Sequence, residues 1–121
     1  MATSIFAHEP GGIDYQPGEV IFREGDPASS MFSVQSGEID LLVGQQLVET
    51  VGVDGFFGEM GMLESAPRSA TAIARTLCRV VEVNQLTFTR QVSRNPFFAI
   101  EMMRTFSRRL RNANSSLASQ S

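Results

Sequence analysis

The sequence contains no lysine, one histidine and one cysteine in 121 residues. Each shortage excludes a chemistry. A metal enzyme built on a small barrel needs two or three histidines around its ion, and His8 stands by itself near the N-terminus. No Ser-His-acid set can be assembled from it either. Cys78 has no partner for an intramolecular disulfide and lies in an apolar run, so a small core residue in a reduced, cytoplasmic setting is expected. No catalytic residue, metal site or cofactor is therefore expected. Long apolar runs are missing too: nothing approaches the roughly 18 residues of a membrane span. The opening "MATSIFAHEP" lacks the basic and apolar regions of a secretory signal. Net charge is −3, which argues against a nucleic-acid surface. The one basic cluster, Arg108 to Arg111, suits the C-terminal end of a helix dipole. From this chain alone, neither a nucleic-acid partner nor a membrane is expected.

What is present is ordinary globular material, 42% hydrophobic, enough for one domain with a real core. Residues 1–12 read as a loose lead-in, with Pro10-Gly11-Gly12 and no periodicity. From 13 to about 83, short runs of Val, Ile, Phe and Leu are cut by turn residues. Glu19 to Arg23 lies between a Pro17-Gly18 turn and a Gly25-Asp26-Pro27 turn. A hinge follows at Ser36-Gly37, a hairpin at Gly44-Gln45 and a turn at Val53-Asp54-Gly55; "SATAIA" and "CRVVEV" complete the series. This spacing predicts a mainly β fold, an antiparallel β-barrel of the jelly-roll kind. From about 84 to 117 the period becomes helical. Asn84 is placed to cap a first helix, with Leu86, Phe88 and Val92 available for burial, and Asn95-Pro96 restarts a second. Met103, Phe106, Leu110, Ala113 and Leu117 form one apolar stripe there, either packing on the chain's own barrel or meeting a second copy as a homodimer.

The stretch "FFGEMGMLESAPRSATA", Phe56 to Ala72, carries the chemistry. Glycines at 55, 58 and 61 permit close backbone approach, and a short helix-prone run spans about Glu59 to Leu63. Pro67 sets the backbone before Arg68, and Ser69, Ala70 and Thr71 are small. Exposed amides at a helix start and one arginine describe a cradle for a single phosphate. A carboxylate such as Glu59 would repel phosphate and suits a hydroxyl donor instead. Anion plus hydroxyl suggests a nucleotide with few phosphates; a plain salt bridge at a barrel corner is the competing reading.

The same residues closely resemble the phosphate-binding cassette of cyclic-nucleotide-binding domains. Phe57-Gly58-Glu59 is followed by apolar and small positions, then Pro67-Arg68 and small-small-Thr71. The upstream "PGEVIFREGDPASSMFSVQSGEIDLL" is similar to the family's barrel strands, and "RNPFFAIEMMRTFSRRLR" to the helix after them. The resemblance implies a non-catalytic regulatory module over 13–121, with cyclic AMP the expected ligand and cyclic GMP the alternative. It implies that Arg68 grips the cyclic phosphate, facing Glu59 until ligand arrives, and that Glu59 takes the ribose 2′-hydroxyl. Gly58, Met60 and the backbone at Ser69 and Ala70 complete the implied ligand set. Family members read the base with hydroxyl side chains late in the long helix; here Ala113 and Asn114 stand there, and Asn114 can bond a base edge.

Overall fold

A computed structural model describes residues 5–120, with side chains described through residue 113. The chain forms two compact units, one running to Phe88 and one from Thr89. The first contains β1 (Ile13–Tyr15), β2 (Val20–Phe22), β3 (Ser30–Ser36), β4 (Ile39–Val43), β5 (Gln46–Val51), β6 (Phe56–Phe57), helix α1 (Glu59–Glu64), β7 (Thr71–Ala74) and β8 (Cys78–Asn84). Helix α2 (Gln85–Arg94) crosses the division, and α3 (Pro96–Gln120) lies in the second unit.

The strands make two four-stranded antiparallel sheets, ordered β1-β8-β3-β6 and β2-β7-β4-β5. This is the mainly β jelly-roll architecture with C-terminal helices that the turn spacing predicts. The punctuation acts where it was expected. Val43 pairs with Gln46 across the two-residue turn at Gly44-Gln45, as a tight hairpin requires. Between β3 and β4, Gly37 adopts φ 78°, in the left-handed region. A Cβ there would collide with the Leu77 carbonyl oxygen and with Cys78.

Burial alternates along β7, whereas residues 30–34 of β3 are all buried. Phe22, Phe32, Val34, Ile39, Val51, Phe57 and Val80 belong to one core cluster. At its heart three rings meet: Phe32 stacks on Phe57 at 5.4 Å, and Phe22 leans on both at 5.7 and 5.8 Å. Such contacts add about 0.5–1.5 kcal/mol each to the area they bury. Cys78 is in this core, and burial pushes its thiol pKa up, so it stays protonated and inert. In the stretch expected to be loose, Phe6 is fully buried, and the Gln35 amide donates to the carbonyls of Phe6 and Glu9 at 3.0 Å each.

Asn84 caps α2 as expected, its Oδ1 accepting from the Thr87 N–H at 2.8 Å. The expected burial along α2 is only partial: Leu86 is exposed, while Phe88 and Val92 are half-buried. In α3 the predicted apolar stripe is largely exposed, Met103 at 60% and Leu110 at 63%, with Phe106 half-buried. Met102, one position away, is buried instead. Leu117 lies outside the residues whose side chains are described.

Replacing Gly37 by alanine combines a left-handed backbone with a collision against main-chain atoms. Urea denaturation should show a loss of at least about 2 kcal/mol; a loss under about 0.5 kcal/mol would show that the β3–β4 turn adapts.

Candidate functional site

Strand β6 ends at Phe57, whose partner across the sheet is Phe32. The next residue, Gly58, turns at φ 77° and starts α1 with no side chain to cap it. Glu59 opens the helix, where a negative charge is favoured by the helix dipole. The helix ends at Ser65, itself left-handed at φ 52°, and Pro67 then delivers the chain to Arg68.

The backbone of Arg68 is clamped by the turn after β2. Its N–H donates to the Asp26 carbonyl at 2.9 Å, and its carbonyl accepts from the Gly25 N–H at 2.8 Å. That turn is itself braced, because the Asp26 carboxylate accepts from the Arg23 N–H at 2.9 Å. Glu24 ties in two further elements. Its N–H donates to the Thr71 hydroxyl at 3.0 Å, and its carboxylate accepts from the Gly44 N–H at the tip of the β4–β5 hairpin, 2.9 Å away. Thr71, the last residue of the cassette pattern, thus serves the scaffold through its hydroxyl.

The side chain of Arg68 runs inward and is only 7% exposed. Its Nη1 donates to the carbonyls of Ser30 at 2.7 Å and Gly58 at 2.9 Å, and Nη2 reaches the Ser30 hydroxyl at 3.5 Å. The guanidinium carbon sits 4.3 Å from the ring centre of Phe22 and 5.5 Å from that of Phe32. Desolvated cation–π contacts of this kind contribute about 0.5–2 kcal/mol each. Burial lowers the guanidinium pKa, and the charges of Glu82 and then Asp26 oppose that shift. Arginine remains charged under such a load.

Glu59 is buried, at 6% exposure, and the Arg68 guanidinium hydrogen-bonds to Ser30 and Gly58. Main-chain dipoles and ring faces hold the cation. Both bonds at Nη1 are committed inward. The Nε–Nη2 edge is the one shaped for two oxygens of an oxyanion.

Of the remaining expected residues, Met60 and Ser69 are exposed and Ala70 is half-buried. The side chain of Asn114 lies outside the described residues. Among the described residues, no group of three or more His, Cys, Asp or Glu side chains could hold a metal ion, and no helix is long and apolar enough to cross a membrane. Phe22, Phe32, Ser30 and Glu82 were not singled out by the sequence reading. Glu82 carried a signal, since it follows Cys78 and Val80 at the same two-residue period and breaks their apolar face.

Comparison with known proteins places this geometry. The sequence profile of the cyclic nucleotide-binding domain matches residues 13–95, and the chain belongs to that family. A cAMP-dependent protein kinase regulatory subunit from Colletotrichum orbiculare is 37% identical over 78 residues, covering 63% of this chain and 20% of the relative. A CRP-like cAMP-activated global transcriptional regulator from Mycobacterium tuberculosis is 26% identical, covering 88% of this chain and 50% of the relative. The chain thus spans at most half the length of these two curated relatives. Among solved structures, the catabolite activator protein of Thermus thermophilus superposes with a TM-score of 0.75 at 28% identity, over 89% of this chain and 53% of that one.

Gly58 is the point where helix start and arginine meet. A Cβ on it would lie 2.7 Å from Arg68 Nη1 and 3.3 Å from the Phe22 ring. Gly58→Ala should therefore lower stability by about 1–3 kcal/mol in chemical denaturation. An unchanged midpoint would mean that the arginine is held less rigidly than these contacts imply.

Proposed function

We propose that this domain is a non-catalytic regulatory module that binds a cyclic nucleotide, cyclic AMP in preference to cyclic GMP. The observation that carries this reading is a buried arginine held by carbonyl dipoles in a cassette that also buries Glu59. The names of the two curated relatives support the choice of cyclic AMP. Serine at position 69 is compatible with either nucleotide.

In this reading the cyclic phosphate carries one negative charge and meets the Nε–Nη2 edge of Arg68. Glu59 accepts a hydrogen bond from the ribose 2′-hydroxyl, while backbone groups near Gly58, Met60, Ser69 and Ala70 enclose the sugar and phosphate. Asn114 is the candidate contact to the base. Signalling is a population shift: ligand favours one position of the cassette helix α1, and the C-terminal helix follows. That response needs differential affinity for two arrangements.

A second reading rests on a separate observation. Phe97, Ile100, Met103 and Leu110 are exposed along α3, and Met103 and Leu110 lie seven apart, the repeat of a helix–helix seam. A homodimer through this face is compatible with sensing, and also with a module that docks partners and no longer senses nucleotide.

Isothermal titration of the domain with cyclic AMP and cyclic GMP separates these readings. Binding of cyclic AMP below about 100 μM is expected, which needs only about −5.5 kcal/mol; silence from both nucleotides would sink the sensing proposal. Arg68→Ala should weaken binding by about 2–5 kcal/mol, as for other desolvated charge pairs. Sedimentation with and without nucleotide reads the second observation. A dimer is expected, Leu110→Glu should make it monomeric, and a monomeric wild type would remove α3 as a seam.

A further inference from the structure

The hydrogen bonds around Arg68 continue past the residues assigned to the ligand. Ser30 is 5% exposed, and its hydroxyl donates its one proton to the Glu82 carboxylate on β8. The oxygen of that hydroxyl thereby turns a lone pair toward Arg68 Nη2 at 3.5 Å. Polarity is consistent along the chain: guanidinium to hydroxyl oxygen, hydroxyl proton to carboxylate. Register explains the meeting. Phe32 pairs with Glu82 across β3 and β8, and Ser30 lies two residues before Phe32, on the same face of the sheet. That face holds the core residues Phe32, Val80 and Cys78, and Glu82 continues the row at its solvent-exposed end, where its carboxylate reaches the Ser30 hydroxyl and its charge acts on Arg68.

We propose that Ser30 and Glu82 are positioning residues for Arg68: the Ser30 hydroxyl, turned by the Glu82 carboxylate, holds Nη2, and the Glu82 charge sets how strongly the cation attracts a phosphate. The proposal rests on the reading of Arg68 as the phosphate-binding residue. Its two parts act in opposite directions. Hydroxyl and carboxylate together fix the donor edge, which favours anion binding. The negative charge, relayed through one hydroxyl, partly offsets the cation and opposes anion binding.

Two variants separate these parts. Ser30→Ala removes the relay and leaves the charge; Glu82→Gln keeps an acceptor for the hydroxyl and removes the charge. Titration with cyclic AMP should show Ser30→Ala weakened about tenfold, as for a lost hydrogen bond to a charged group. Glu82→Gln should be tightened by about two- to fivefold, in line with removing one partly screened charge. A residue of merely structural importance would not produce opposite signs, so changes in the same direction, or none, overturn the proposal. A second arm needs no ligand. In guanidinium-detected 15N spectra of the full chain, assigned with Arg68→Lys, Ser30→Ala should move the Arg68 Nη2 resonance and leave Nη1, which is held by the carbonyls, in place. An unmoved Nη2 resonance overturns the positioning role. Should wild type bind neither nucleotide, the sensing reading fails by itself, and the spectra still decide whether Ser30 orients Arg68.

Discussion

A guanidinium held inside an aromatic core by main-chain carbonyls is the constraint on which the rest of the domain turns. Placing a full charge against the rings of Phe22 and Phe32 is unfavourable unless its donors are satisfied. The chain meets that requirement with the Ser30 and Gly58 carbonyls and with two ring faces. Dipoles of this kind stabilise a cation without cancelling its charge.

Satisfying Arg68 recruits much of the barrel. Gly58 must lack a side chain, the turn at Gly25-Asp26 must present one donor and one acceptor, and Glu24 must hold both Thr71 and the hairpin tip. The residues that specify the architecture and those that specify the site are therefore largely the same. Damage to the turn after β2 would be felt at the guanidinium as readily as a change in α1. Thr71 illustrates the overlap: it sits in the cassette pattern, yet its hydroxyl is spent on the Glu24 amide.

Much of this was legible in the sequence because it depends on neighbours. Turn residues, the Asn84 cap, the restart at Pro96 and the short helix after Gly58 are local chemistry, and each lies where the residues indicate. The cassette was legible for a different reason, since its spacing is distinctive enough to resemble a known family. What escaped is what strand pairing decides. Nothing near Arg68 in sequence announces Ser30 as its acceptor, and nothing near Ser30 announces Glu82. Burial of Phe6 depends likewise on Gln35, far along the chain. The apolar stripe of α3 was readable as a stripe, but periodicity does not say what covers it.

The length of the loops that these contacts close has a consequence for the order of folding. Arg68 and Ser30 are 38 residues apart, Glu24 and Thr71 are 47, and Ser30 and Glu82 are 52. Contacts at such separations form late, after the entropy of closing long loops has been overcome. Of these contacts only the Ser30–Glu82 bond waits for β8, whereas the groups that touch the Arg68 side chain, Phe22, Ser30, Phe32 and Gly58, all precede it in the chain. A growing chain therefore holds every direct contact of the guanidinium before it holds the strand that pairs β1 with β3.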